Sequence, residues 1–366
     1  MLKIIGLFPL TGNGGIASWT KKFLAAFPDE EYQIFPVSNS PTQVAPGERD
    51  GLVKRIKVGL ESERRIIKEL KSILEKEHFD ILHTTTSGNI GSYRDIKVAK
   101  LCKSKGVKTI MHCRYGCITE DIKSRGLVGI LLRKSMSLFD QIWVLDSRSY
   151  NTLKGIPSLA AKVHLTPNSI EVRESCDLKP KSYSRIAFIG NVYPSKGIYE
   201  LVSACTRTNV RLDIIGPITD EVKSKIIEMA GSMLDSTIFI HGRLPNPEAV
   251  KFMHEVDIVA LPTFYQQEAF PISILEAMSL SKMVISCPRA AVKDMLTDLD
   301  GKPCGMLVEP KSADAIVDAI EWLQANKAEA DVMCKKAYEK VYNCYRKEVV
   351  YDIYRENYKN LIHDSN

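Results

Sequence analysis

Short apolar runs alternate with longer amphipathic stretches along almost the whole chain. Leu2–Pro9 (LKIIGLFP), Tyr32–Val37, Asp80–Thr85, Val107–His112, Gln141–Leu145 and Lys162–Thr166 each have the length and composition of a buried parallel strand. Between them, residues 16–27, 60–77, about 90–105 and 127–139 carry helical periodicity. This first series closes in the string TPNSI, 166–170. A second series opens with RIAFIGNVYPSKG at Arg185 and continues through strands at 212–216, 237–241, 256–261, 283–286 and 306–309. Its helices start near Pro194, Pro271 and residue 312. Such alternation predicts an α/β protein with a doubly wound parallel sheet in each half. From about Ala328 to Ile362 no Gly or Pro interrupts a charged, aromatic-rich pattern, which predicts one long helix or two in tandem. The polar segment containing Pro41, Pro46 and Gly47 reads as an exposed loop.

At 366 residues the chain exceeds what one hydrophobic core normally supports, so two domains are expected, 1–175 and 176–349. The net charge of +6 is concentrated in the first of them: residues 1–180 hold 28 Lys and Arg against 19 Asp and Glu, the remainder 22 against 25. The cations are scattered along helices, which fits a solvated surface. No basic and aromatic residues cluster as a nucleic-acid site would need, so no nucleic acid is expected as a partner. Nine irregularly spaced cysteines point to free thiols in a reducing compartment. His112, Cys113 and Cys117 lack a second ligand pair, so no metal site is expected. Met1-Leu2-Lys3 leads straight into a strand, and no apolar run reaches the 18 residues of a membrane span. The expected location is cytoplasmic, with peripheral contact at the inner membrane face the other reading. For that contact the sequence offers 124–144, where Leu, Ile and Val share a helix with Arg125, Arg133 and Lys134. A helix packed on the strand that follows accounts for the same residues.

Candidate chemistry concentrates in Val256–Cys287 (VDIVALPTFYQQEAFPISILEAMSLSKMVISC): a strand, a loop, a helix with Pro271 at its first position, and another strand. Glu268 lies in the loop and Glu276 on the helix. At the carboxyl end of a parallel strand both would face a ligand crevice. The N–H groups of Phe270, Ile272 and Ser273, with the helix dipole behind them, would suit an anion. Gly14-Gly15 (TGNGG, 11–15) sits at the equivalent strand–helix turn of the first half, where glycines allow close backbone approach to phosphate. A plain tight turn would look the same.

The string EAFPISILEAMS, 268–279, resembles the donor-site signature of the family 4 retaining glycosyltransferases. The resemblance implies the GT-B architecture: two Rossmann-like domains facing across a cleft, with the last helix, about 350–366, returning to the first domain. It implies that Glu268 contacts hydroxyls of the transferred sugar and that Glu276 holds the nucleotide ribose, beside Phe270, Pro271 and Ile272. GNVYPSKG, 190–197, is similar to a second family motif and keeps its lysine as Lys196, which would neutralise the donor diphosphate; Asn191 stands where the family usually has arginine. Arg114, Arg243 and Arg289 are the candidate replacements for that charge. His112, at a strand end, takes the role of the family histidine near the donor sugar, with His83 as the competing histidine.

The implied reaction is metal-independent transfer of a sugar, with retention, from a nucleotide-sugar (UDP- or GDP-linked) to a hydroxyl of a glycan or lipid-linked acceptor. The catalytic set is His112, Lys196 and Glu268, with no cofactor beyond the donor substrate. Cell-surface polysaccharide or lipid-linked glycan assembly is the expected setting. Asn191 also admits a non-catalytic nucleotide-sugar-binding protein of the same fold, and a sugar-nucleotide epimerase is a further alternative.

Overall fold

The computed structural model describes residues 1–12, 14–40, 52–86, 88, 91–172 and 182–363. The loop expected around Pro41, Pro46 and Gly47 lies outside the described residues, as does Cys176. The chain divides into two compact units, Met1–Pro167 with Tyr351–Asn366, and Asn168–Val350.

The first unit runs β1 (Leu2–Phe8), α1 (Gly15–Ala26), β2 (Tyr32–Ser38), α2 (Leu52–Lys76), β3 (Ile81–Thr86), α3 (Gly91–Ser104), β4 (Lys108–Cys113), α4 (Ile118–Lys123), α5 (Leu127–Leu138), β5 (Gln141–Val144), α6 (Ser147–Lys154) and β6 (Val163–Leu165). The strands form one parallel sheet in the order β2-β1-β3-β4-β5-β6. Because side chains alternate along a strand, neighbouring residues are sorted to opposite faces. Ile5, Leu7 and Leu82 pack with Ile66 and Leu70 of α2 and Val98 of α3, while Met111, Cys113, Ile142 and Val144 pack with Leu132 and Met136 of α5. On the opposite face Phe8, His83, His112 and Trp143 meet Trp19 and Phe23 of α1 and a chain segment that returns at Tyr351.

The second unit runs β7 (Arg185–Ile189), α7 (Ile198–Thr208), β8 (Arg211–Ile215), α8 (Asp220–Ala230), β9 (Ile238–Gly242), α9 (Asn246–Glu255), β10 (Ile258–Leu261), α10 (Ile272–Ser279), β11 (Met283–Ser286), α11 (Val292–Met295), β12 (Met306–Leu307), α12 (Ala313–Ala325) and α13 (Lys327–Cys344), and α14 (Lys347–His363) follows. Its sheet is again parallel, in the order β12-β11-β10-β7-β8-β9. The fully buried Asp213 on β8 accepts hydrogen bonds from Arg185 Nε (2.9 Å), Arg211 Nε and Nη2 (3.1 Å each) and His241 Nε2 (2.8 Å). Burial alone would raise its pKa, but these bonds more than offset that and hold the carboxyl below the usual carboxylate range.

The aromatic-rich terminal run is two helices. α13 ends although neither Gly nor Pro is present, because the backbone beyond it is captured elsewhere. Ile170 N–H donates to the Tyr345 carbonyl and Lys347 N–H to the Ile170 carbonyl, both at 2.9 Å. The break divides the tyrosines that a single packing face would have aligned. Tyr351, Tyr354 and Tyr358 pack among Phe23, Phe27 and Trp143. Tyr338 stacks on Tyr342, and Tyr345 lies against Phe270.

Candidate functional site

In the second sheet β8 and β9 continue to one side of β7 and β10 lies on the other, so the chain reverses direction between β7 and β10. At such a switch point the loops leaving the two central strands diverge and open a crevice at their carboxyl ends. The loops in question are 190–197 and 262–271, the two that carry the sequence-selected residues.

They are stitched together. Gly197 has φ +77, and a Cβ there would lie 2.2 Å from the Pro262 carbonyl oxygen, so both conformation and space require glycine. Phe264 N–H donates to the Ser195 carbonyl at 2.9 Å. Lys196 Nζ is hydrogen-bonded and ion-paired to Glu268 Oε2, with side-chain exposures of 15% and 12%, and lies 5.4 Å from the Tyr265 ring centroid. The ammonium assigned to the diphosphate and the carboxylate assigned to the sugar are thus in direct contact. The β7 turn is equally tight: Gly216 has φ +148, and a Cβ on it would meet the Gly190 carbonyl oxygen at 1.8 Å.

Pro271 is the N-cap of α10 and Ile272 its first helical residue, one position later than expected. The proline ring supplies no N–H and its extended ψ of 119° keeps it outside the helix. Ile274, Leu275, Ala277 and Met278 face the core, which leaves Ile272, Ser273 and Glu276 half-buried on the other side. Ile272 and Ser273 are in the first turn, where amides have no intrahelical acceptor. Glu276 follows Ser273 by three residues and Ile272 by four, so all three share one face.

Asn191 is exposed. Of the candidate replacements for the usual arginine, Arg243 is exposed beyond β9. Arg289 is half-buried, and its Nη2 donates to the Gln266 carbonyl in the Glu268 loop. Arg114 belongs to the first unit, packed 4.0 Å from the Trp19 ring centroid, and burial lowers its pKa to about 10.

In the first unit Gly14 is the N-cap of α1 and Gly15 its first residue, and a Cβ on either would meet nothing within 4 Å. Gly14 has φ −81, so neither strain nor crowding within the unit dictates glycine there. His112 is fully buried, and both ring nitrogens have partners: Arg114 Nη1 at 3.1 Å from Nε2, His83 Nε2 at 3.2 Å from Nδ1. His83 Nδ1 lies 2.6 Å from the Tyr358 hydroxyl. Burial first, and then the neighbouring Arg114, push both histidines well below the usual range, so both are neutral. A guanidinium can only donate, which makes His112 Nε2 the acceptor and places its proton on Nδ1. His83 Nε2 then accepts, and its Nδ1–H donates to Tyr358. One buried cation sets two tautomers. The relay through Arg114, His112, His83 and Tyr358 was not expected from the sequence; the register that pairs Thr85 with His112 puts residues 83 and 112 on one face of the sheet.

The family description "Glycosyl transferases group 1" matches residues 175–340. The lipopolysaccharide 1,2-N-acetylglucosaminetransferase of Salmonella typhimurium is 28% identical over 187 residues, covering 48% of this chain and 48% of the relative. The match thus spans about half the length of that relative. Among solved structures, sucrose-phosphate synthase from Thermosynechococcus elongatus superposes with a TM-score of 0.75 at 15% identity over 100% of both chains. The Anabaena protein HepE in complex with UDP and glucose gives 0.69 at 12% identity, over 98% of this chain and 100% of that one. The chain has the GT-B fold, and its residues 175–340 match the glycosyl transferases group 1 family.

Proposed function

We propose that this protein is a retaining, metal-independent glycosyltransferase that moves a sugar from a UDP- or GDP-linked donor to a hydroxyl. The observation that carries this reading is the meeting of Lys196 and Glu268 at the switch point, on the loops that lead from β7 into α7 and from β10 into α10. As the glycosidic bond breaks, negative charge grows on the departing diphosphate. A half-buried ammonium and first-turn amides stabilise that charge most when it is fully developed. Donor phosphate would draw Lys196 from Glu268, freeing the carboxylate to accept hydrogen bonds from sugar hydroxyls. Glu276 holds the ribose in this reading. The Salmonella relative's name supports a glycan acceptor in lipopolysaccharide-type assembly.

The test is thermal stability of the wild type and Glu276→Ala with UDP and GDP. A nucleotide at 100 times its dissociation constant adds about 2.7 kcal/mol, which should raise the wild-type midpoint and leave Glu276→Ala nearly unmoved. No shift in the wild type would remove the donor-site reading, whereas a shift without any sugar transfer would favour the non-catalytic reading, for which the exposed Asn191 is the supporting observation.

Peripheral membrane contact belongs to the same reading. Leu127 and Ile130 of α5 are 68% and 52% exposed, with exposed Lys123, Arg125 and Lys134 around them. Two apolar side chains beside three cations suit an anionic bilayer surface. Co-sedimentation with phosphatidylglycerol vesicles should fall several-fold in Leu127→Asp; unchanged binding would exclude this face.

A further inference from the structure

We propose that Asn168 is a positioning residue for the nucleotide loop, an inference that rests on the glycosyltransferase reading. Asn168 ends the first strand series in TPNSI, far in sequence from the donor residues. Asn168 is buried, 4% exposed, and its Nδ2 donates to the Phe270 carbonyl at 3.0 Å. Facing a carbonyl, the amide must present NH2, since its own oxygen would be repelled.

What that bond fixes follows from the chemistry of two adjacent peptide planes. The 269–270 peptide is held through its carbonyl, which accepts from Ala291 N–H at 3.1 Å. In a planar trans peptide the N–H lies opposite the carbonyl, so the Phe270 N–H is directed away from Ala291. The 270–271 peptide has no N–H, because residue 271 is proline. Its carbonyl is its only hydrogen-bonding group, and Asn168 holds it. Asn168 thereby sets the backbone rotation at Phe270, from which the chain enters α10, and with it the aim of the Ile272 and Ser273 amides. Glu268 lies two residues upstream on the same short loop.

The clamp is itself held. Two residues on, Ile170 is bonded to the backbone of Tyr345 and Lys347, and the Tyr345 ring meets the Phe270 ring edge-on at 5.4 Å and 82°. Phe270 is therefore gripped on its carbonyl by one side chain and on its ring by another, both anchored to one backbone bridge.

The test is calorimetric binding of UDP and GDP to wild type, Asn168→Asp and Asn168→Ser, each at pH 8 and pH 5.5. An ionised aspartate cannot donate, so Asn168→Asp should bind the preferred nucleotide about tenfold more weakly than wild type at pH 8. A protonated aspartic acid donates again, and burial raises its pKa, so at pH 5.5 the gap should close to about threefold. Serine falls short of the carbonyl and should be weak at both pH values, which carries the test if the aspartate variant does not fold. Wild-type affinity in either variant at pH 8, or an aspartate defect that ignores pH, overturns the proposal while leaving the glycosyltransferase reading intact. A wild type that binds neither nucleotide removes that reading, and this inference with it.

Discussion

Replacing Lys196 by alanine should lower turnover by about two to three orders of magnitude at saturating donor, the loss typical of removing one preorganised group that stabilises transition-state charge. The ammonium is 15% exposed and already paired with a carboxylate, so it sits where electrostatic interactions are strong and few water molecules can replace it. The family's usual second cation is absent, since position 191 is asparagine. Arg289 donates to the Gln266 carbonyl in the loop that carries Glu268 and is the candidate second cation in this unit. Lys196→Arg should recover part of the rate, because the charge is restored but the point geometry is not. Steady-state kinetics that separate kcat from KM would check this. A Lys196→Ala enzyme within about threefold of wild type would remove Lys196 from the chemistry; such a gap is only about 0.7 kcal/mol, against about 3–4 for an essential donor.

The largest stability loss should come from Asp213→Ala. Removing one member of a buried ionic cluster leaves its partners charged and unsatisfied, at a cost of about 3–5 kcal/mol, and partial exposure of Arg185, Arg211 and His241 puts this site at the lower end. For a unit of this size that corresponds to a melting point lower by roughly 10 °C. Asp213→Asn should lose less, since the amide keeps the shape and an accepting oxygen. The folded-state pKa of Asp213 is depressed, so its stabilisation is fully present above the ordinary carboxylate pKa. It is lost as pH falls through the depressed value. The gap between wild type and Asp213→Asn, read by thermal melts from pH 7 down to pH 2.5, should therefore hold at neutral pH and narrow only in strong acid. A gap independent of pH would show that the cluster's contribution is packing.

Much of the fold was legible because its signal is local. Strands of the second unit alternate with helices at regular spacing, and β10 and β11 are apolar runs that only a doubly covered sheet can bury. The two glutamates and Lys196 stood out because each lies in a loop or helix start directly after such a strand. Contacts made at a distance left no such mark. The ion pair between Lys196 and Glu268 depends on β7 and β10 being neighbours, which is a fact of topology and not of either motif. The helix break at Tyr345 comes from pairing with Ile170 and has no Gly or Pro to announce it. Asp213 gave only the weak signal of one carboxylate in an apolar strand, and its three partners come from three different strands. His112 was readable as a strand-end histidine, but its buried setting between Arg114 and His83 required the register of β3 on β4.

The central claim is transfer with retention, and the anomer released from the donor tests it most directly. Wild-type protein would be incubated with UDP-glucose, UDP-galactose, UDP-N-acetylglucosamine or GDP-mannose in the presence of EDTA. Proton NMR would follow the first hemiacetal formed by slow transfer to water. The account predicts that one donor is consumed without metal, that its α-anomer appears before mutarotation, and that Lys196→Ala abolishes the signal. Release of the β-anomer, or no consumption of any donor, would contradict it.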